Sequence, residues 1–258
     1  MIKTLNRTLK QDRERFTLPK NVQDIIPVQS VYSDGIFQTG KNKFSKTFRF
    51  EDINYYVASV EDKKAMFLGY SEILNALDST AVTKLTINNR RLNRADFKRK
   101  VLIGMKGDSL DIYRKEYDDM LSGKAADANS IVQEKYITIT VTRKDIEEAR
   151  TYFRRAGAEL MAHFSQMGSD CTELDPKERL RIIYDFYRAG EETLFHFDFK
   201  DRMRKGHDFR DYICPDCFEN ERDHFRIGDR YGRVLFLKDY ASFIKDSMVA
   251  DLTELDRD

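Results

Sequence analysis

The sequence predicts an α+β domain, because three stretches change from a strand period to a helix period. The strongest is Lys135 to Met167. Tyr136–Val141 alternates Ile137, Ile139 and Val141 with Thr138 and Thr140, which suits a pleated strand with one apolar face. Ile146, Ala149, Phe153, Ala156, Leu160, Phe164 and Met167 then recur at steps of three and four, the stripe of an amphipathic helix. Thr142 is the expected N-cap, Asp145, Glu147 and Glu148 suit the positive end of the helix dipole, and Gly168 suits its stop. Tyr55–Val60 followed by Ala65, Leu68, Ile73 and Leu77 is a second unit. Arg233–Leu237 followed by Phe243, Ile244, Met248 and Leu252 is a third. The units share no sequence identity that marks a repeat, and many α+β domains would give such units.

The expected fold is a mixed sheet of ferredoxin-like strand-helix units with an N-terminal β-hairpin region. Residues 1–24 read as a basic arm. Within 1–20, Lys3, Arg7, Lys10, Arg13, Arg15 and Lys20 outnumber Asp12 and Glu14. Two readings stay open for the arm: a segment that orders on a partner, or a frayed terminus. Residues 25–50 read as hairpins forming a separate small sheet. Val28–Tyr32 is a strand, Asp34-Gly35 a turn, and Ile36-Phe37 the return. A second turn at Gly40-Lys41-Asn42 leads into Phe44–Phe50. Residues 51–255 make the α+β domain. There Thr83–Asn88 is a strand completing β-α-β, and Ser109–Leu121 is a helix ended by Ser122-Gly123-Lys124. Asp175-Pro176-Lys177-Glu178 opens another helix as cap, first-turn proline and capping-box glutamate. Leu180, Ile183, Tyr184 and Tyr187 form its stripe and Gly190 its stop. Glu191–His207 is a charged connection with aromatics at Phe195, Phe197 and Phe199, and Tyr212–Cys214 and Phe225–Ile227 are short strand candidates.

A chain of 258 residues can bury a core without disulfides or metals. Its 45 Lys+Arg nearly cancel its 44 Asp+Glu, so no global field steers it to nucleic acid or membrane. Three cysteines, an odd count, suit a reducing cytoplasm rather than a disulfide framework. No apolar run approaches the roughly 20 residues of a membrane span. The first residues show no signal-peptide core.

Three motifs invite a functional reading. Gly35-Ile-Phe-Gln-Thr-Gly40-Lys41-Asn42 matches a P-loop spacing, but Asn42 stands where Ser or Thr would meet Mg²⁺. A strand signal also follows, where a P-loop must open a helix. A hairpin is the better reading. Cys214-Pro-Asp-Cys217, flanked by His207 and His224, could supply four zinc ligands. The spacing is unlike a common finger, and ordinary half-buried thiols at a proline-punctuated strand end are expected, with no metal and no cofactor. The third motif is the basic window 84–106, where Lys84, Arg90, Arg91, Arg94, Lys98, Arg99, Lys100 and Lys106 face Asp96 alone. It could contact phosphates of nucleic acid or anionic lipid. Phe97 is its only aromatic, a poor platform for single strands, and a solvated face balanced by acidic neighbours is the competing reading. His163, beside Phe164 in the stripe helix, reads as structural. No catalytic constellation can be placed from spacing.

Several stretches, in order, resemble a known family. They are Phe50-x-x-Ile53-Asn54-Tyr55 with Gly69–Asn75, Lys135–Thr138 with Ala149, Leu174–Leu180, Asp211–Asp216 and Tyr231–Tyr240. Together they are similar to the start of the conjugative-transfer ATPases of type IV secretion systems (the VirB-four/TraC/TrbE class), in the form carried by Gram-positive integrative elements. The likeness spans roughly residues 25–255, and its weight lies in order and spacing. In that pattern Pro215 recurs and the cysteines are incidental. The resemblance implies the N-terminal domain of such an ATPase, itself non-catalytic, with Walker motifs in a motor expected beyond Asp258. It implies docking to membrane subunits of the secretion channel and to the chain's own C-terminal ATPase domain. The expected location is cytoplasmic, peripheral at the inner face of the cell membrane, with an anionic membrane surface as a further contact. The alternative is a nucleic-acid-binding module acting through residues 84–106.

Overall fold

The computed structural model describes residues 19–53, 55, 57–91, 102–127, 131–191, 194–200, 206–236, 239, 243, 245 and 248. The expected α+β class holds. A six-stranded sheet runs in the order β1 (Ser30–Val31), β2 (Phe37–Gly40), β3 (Lys43–Phe50), β5 (Ile131–Thr142), β4 (Val82–Arg91). The sixth strand, β6 (Cys171–Glu173), lies beside β3 beyond the end of β2. The helices are α1 (Val60–Ala76), α2 (Asp111–Asp127), α3 (Ile146–Gln166) and α4 (Pro176–Tyr187). A small second sheet joins β7 (Phe218–Asn220), β8 (Phe225–Ile227) and β9 (Arg230–Gly232).

Within the large sheet, β3-α1-β4 and β5-α3-β6 interlock as two split β-α-β units. The spatial order β6-β3-β5-β4 is the ferredoxin-like arrangement. Its first strand is β3, not Tyr55–Val60. That stretch leads into a helix: Ser59 Oγ accepts from Asp62 N at 3.1 Å, so the cap decides over the β-branched composition. The hairpins therefore form no separate sheet; β1, β2 and β3 continue into β5. Every pairing among the described residues is antiparallel, so the sheet is not mixed.

The sheet carries a core on each face. Register places Phe44, Phe48, Ile137, Ile139 and Val141 on one side, where they meet Ala149, Phe153, Ala156, Leu160 and Phe164 of α3 and Ile73 of α1. The α3 stripe is the one its spacing predicts. Its N-cap, however, is Asp145, which accepts from Glu148 N at 2.9 Å, because β5 runs through Thr142. Burying a large side chain such as Phe48 or Phe153 stabilises by about 1.5–3 kcal/mol. Ile36 and Phe37 are adjacent and point oppositely. Ile36 joins this first core, while Phe37 joins a second built from Ile26, Val28, Val31, Leu180, Tyr184, Phe197, Phe209 and Ile213. The stretch 191–207, expected as a charged connection, thus supplies core aromatics at Phe197 and beside it. α4 begins with the expected capping box, Asp175 to Glu178 N at 2.7 Å and Glu178 to Asp175 N at 3.1 Å.

Other expectations are corrected. α2 runs to Asp127, past Ser122-Gly123-Lys124, because one glycine costs a helix only about 1 kcal/mol. Tyr212 ends a 3₁₀ turn (Phe209–Tyr212) capped by Asp208, so Tyr212–Cys214 is not a strand. Arg233–Phe236 is not strand either, because β9 pairs only along β8, which begins at Phe225 opposite Gly232. Residues 1–18, Leu237, Ile244 and Leu252 lie outside the described residues.

Arg179 ties α4 to the N-terminal hairpin and to β3. It projects from α4 into the sheet, where Nη1 donates to Gly35 O (2.7 Å) and Ser45 O (2.8 Å), and Nη2 donates to Ser45 Oγ (3.1 Å). Its guanidinium lies 3.9 Å over the Phe37 ring. Burial pushes it down to about 9. The turn that receives it requires glycine: Gly35 has φ +79°, and a Cβ there would stand 2.5 Å from Leu174 O.

Candidate functional site

An apolar cleft of about 270 Å³ opens on the α1–α3 face. Three elements build it. The end of β3 supplies Phe50, which stacks on Phe164 of α3 at 5.0 Å and 27°. α1 supplies Met66, Phe67 and Tyr70, and the α3 C-cap supplies Met167. Ile53 and Tyr55 close the side toward the β3–α1 connection. Gly69 lets α1 approach, because a Cβ there would meet Met167 Sδ at 2.9 Å. The polar edge is pinned: Ser169 Oγ donates to Glu51 O at 2.6 Å, and Asp52 pairs with Lys135.

The cleft opens onto more apolar surface. Phe67 is 68% exposed and Leu68 61%. α1 buries Ile73 and turns Met66, Gly69 and Leu77 inward. Ala65 and Leu68, expected in its stripe, face outward instead. Apolar side chains thus stand on more than one side of this helix, the signal by which the site could have been found: a surface helix needs only one apolar stripe. α2 repeats the pattern, with Leu110 just before it and Tyr113, Tyr117 and Met120 exposed at steps of three and four. Ring and thioether surface of this kind accepts apolar side chains of varied shape.

Of the predicted basic residues, four lie among the described ones. Arg90 and Arg91 end β4, and Lys84 is exposed on the same strand. Arg94, Lys98, Arg99 and Lys100 lie outside the described residues. Lys106 is exposed ahead of α2, where its N–H donates to Asp111 Oδ1 at 3.0 Å.

The stretch Gly35–Asn42 is hairpin, as its sequence suggests: β2 lies within it and β3, not a helix, follows. Cys214, Cys217 and Cys171 are free thiols. Burial raises the Cys214 thiol and pushes Cys171 up to about 11. His207 Nδ1 stands 3.7 Å from Asp211 and His224 Nδ1 2.9 Å from Asp223, so each histidine turns to a nearby aspartate. Among the described residues no group of three or more His, Cys, Asp and Glu could hold a metal ion. His163 is half-buried in the last turn of α3. No helix among the described residues is long and apolar enough to cross a membrane. Neither the protein-family models nor the curated protein sequences give a match to this chain.

Proposed function

We propose that the chain is a protein-docking module, the N-terminal assembly domain of a conjugative type IV secretion ATPase, held by membrane subunits of the channel at the inner face of the cell membrane. The observation that carries the docking reading is the cleft between Phe50, Met66, Phe67, Tyr70, Phe164 and Met167, continuous with exposed ring and aliphatic surface on α1. Contiguous apolar surface rimmed by polar groups is a mark of partner binding. The secretion context rests on the ordered resemblance from Phe50 to Tyr240. Balanced charge supports a protein partner over nucleic acid, since a nucleic-acid binder usually shows a dominant basic footprint. Basic residues of 1–20 and 84–106 would add attraction to an anionic leaflet, about 1 kcal/mol for each one close to the surface.

The test is a salt-dependent binding series against DNA, anionic liposomes and the small membrane proteins encoded beside its gene. The membrane protein binds with modest salt dependence. Charge reversal at Arg90, Arg91 and Arg94 affects mainly the liposomes. DNA binding at about micromolar Kd or tighter in physiological salt, abolished by that reversal, would favour the nucleic-acid module instead.

A further inference from the structure

We infer that the outer edge of β4 accepts an additional β-strand from a partner segment that alternates apolar and acidic side chains. β4 spans Val82–Arg91 and pairs through all ten residues with β5 on one side. Among the described residues no strand pairs with its other side. Most of the strand is exposed, Leu85 at 51% and Ile87 at 38% included. A long edge with apolar side chains is a template for another strand, and proteins blunt an unused edge with proline, a bulge, a short length or charged side chains, Lys above all. Of these β4 has only Lys84 within the strand and Arg90 and Arg91 at its end, charges that turn away a basic strand and favour an acidic one. Here the register with β5 is unbroken and the strand holds no proline.

The occupant follows from register and charge. Leu85 lies opposite Ile137 and Ile87 opposite Lys135, so both point to the sheet face that α1 and α3 cover. Lys84 lies opposite Thr138, on the other face. An added strand would set its apolar residues beside Leu85 and Ile87 and its alternate residues beside Lys84. Lys84, Arg90 and Arg91 are the charged residues of β4, and none is acidic. A second copy is therefore disfavoured: a β4–β4 pair would carry basic residues on both strands and no acidic residue to offset them. A partner whose outward positions are acidic gains those contacts instead. Main-chain hydrogen bonds supply the affinity and side-chain alternation the selection, as in strand addition elsewhere. The inference does not depend on the apolar cleft or on the secretion reading.

The probe is a fluorescent peptide of about ten residues alternating valine and glutamate, with a block-ordered isomer as control. Anisotropy measures binding to the whole chain, and hydrogen exchange locates it. The alternating peptide binds, slows exchange within 82–91 and outcompetes its isomer. Lys84→Glu, an exposed position, weakens it about tenfold while leaving the unfolding midpoint in place. Equal binding of both peptides, no binding, or slowed exchange on α1 rather than β4 would overturn the inference. So would β4 amides that become protected with chain concentration alone, which would make the occupant a second copy.

Discussion

β3 and β4 both flank β5 and run parallel to one another, yet they end in opposite conditions. β3 has neighbours on both edges and packed side chains on both faces, and Phe44 through Phe48 are buried without interruption. Among the described residues β4 has one neighbour, and its apolar side chains stay exposed. Being central in a sheet, rather than being apolar, is what buries a strand. β3 carries Ser45, Lys46 and Thr47 inside because partners await them. Ser45 meets Arg179, Lys46 pairs with Glu173, and Thr47 Oγ1 lies 2.9 Å from Thr138 Oγ1. β4 leaves Leu85 and Ile87 partly exposed, because no strand among the described residues lies along its outer edge. β3 supplies Phe44 and Phe48 to the first core, whereas the β4–α1 flank leaves apolar side chains exposed.

The largest effect that would sharpen this contrast is Phe48→Ala. It leaves a cavity between β3 and Gly157 of α3, where a Phe48 ring atom stands 3.1 Å from the Gly157 Cβ position. Unfolding in urea should show a loss of about 3–5 kcal/mol, against little for Leu85→Ala. Next comes Arg179→Met, which removes the side-chain donor shared by Gly35 O, Ser45 O and Ser45 Oγ. A loss of about 1–3 kcal/mol is expected by the same measurement. Arg179→Lys should recover only part of it, since one ammonium cannot fork to all three acceptors. If either variant were neutral, β3 would not be the keystone described.

The exposed flank should respond differently. Leu68→Ser should move stability by no more than about 0.5 kcal/mol. A larger loss would mean that α1 buries that face in solution, which would erase the contrast with β3.

The smallest effect concerns Cys171, half-buried in β6 against the first core. Burial favours its neutral thiol and raises the folded-state value to about 11 from 9.0. The stability this lends is present below pH 9 and lost as pH climbs toward 11. Alkylation at mildly alkaline pH should therefore modify Cys171 more slowly than the same thiol in urea, because the thiolate is the nucleophile. Equal rates would show that β6 frays from β3.

Much of the fold was legible because its signals are local. β5 and α3 announce themselves through a change of period, α4 through Asp175-Pro176 and Glu178, and the hairpins through Asp34-Gly35 and Gly40–Asn42. The ferredoxin-like expectation holds, but neither Tyr55–Val60 nor Arg233–Phe236 is one of its strands: Tyr55–Val60 and Lys43–Phe50 both have β composition, and the Ser59 cap turns the former into a helix start. The second core was not legible. Phe195, Phe197 and Phe199 alternate in a charged stretch that forms no strand among the described residues, Phe209 stands alone, and the burial of Phe197 and Phe209 depends on where α4 lands. The cleft was half legible: the excess of apolar residues around α1 is in the sequence, but which of them face inward depends on the tilt of α1 against α3.

The central claim is that apolar surface on α1 serves a partner and not the core. It is tested most directly by one variant read two ways, Phe67→Glu, with binding to the membrane subunits encoded beside the gene and the urea midpoint measured on the same protein. The account predicts that binding is lost by about tenfold or more while the midpoint stays in place. Unchanged binding with an unchanged midpoint would contradict it, as would a midpoint that falls together with binding.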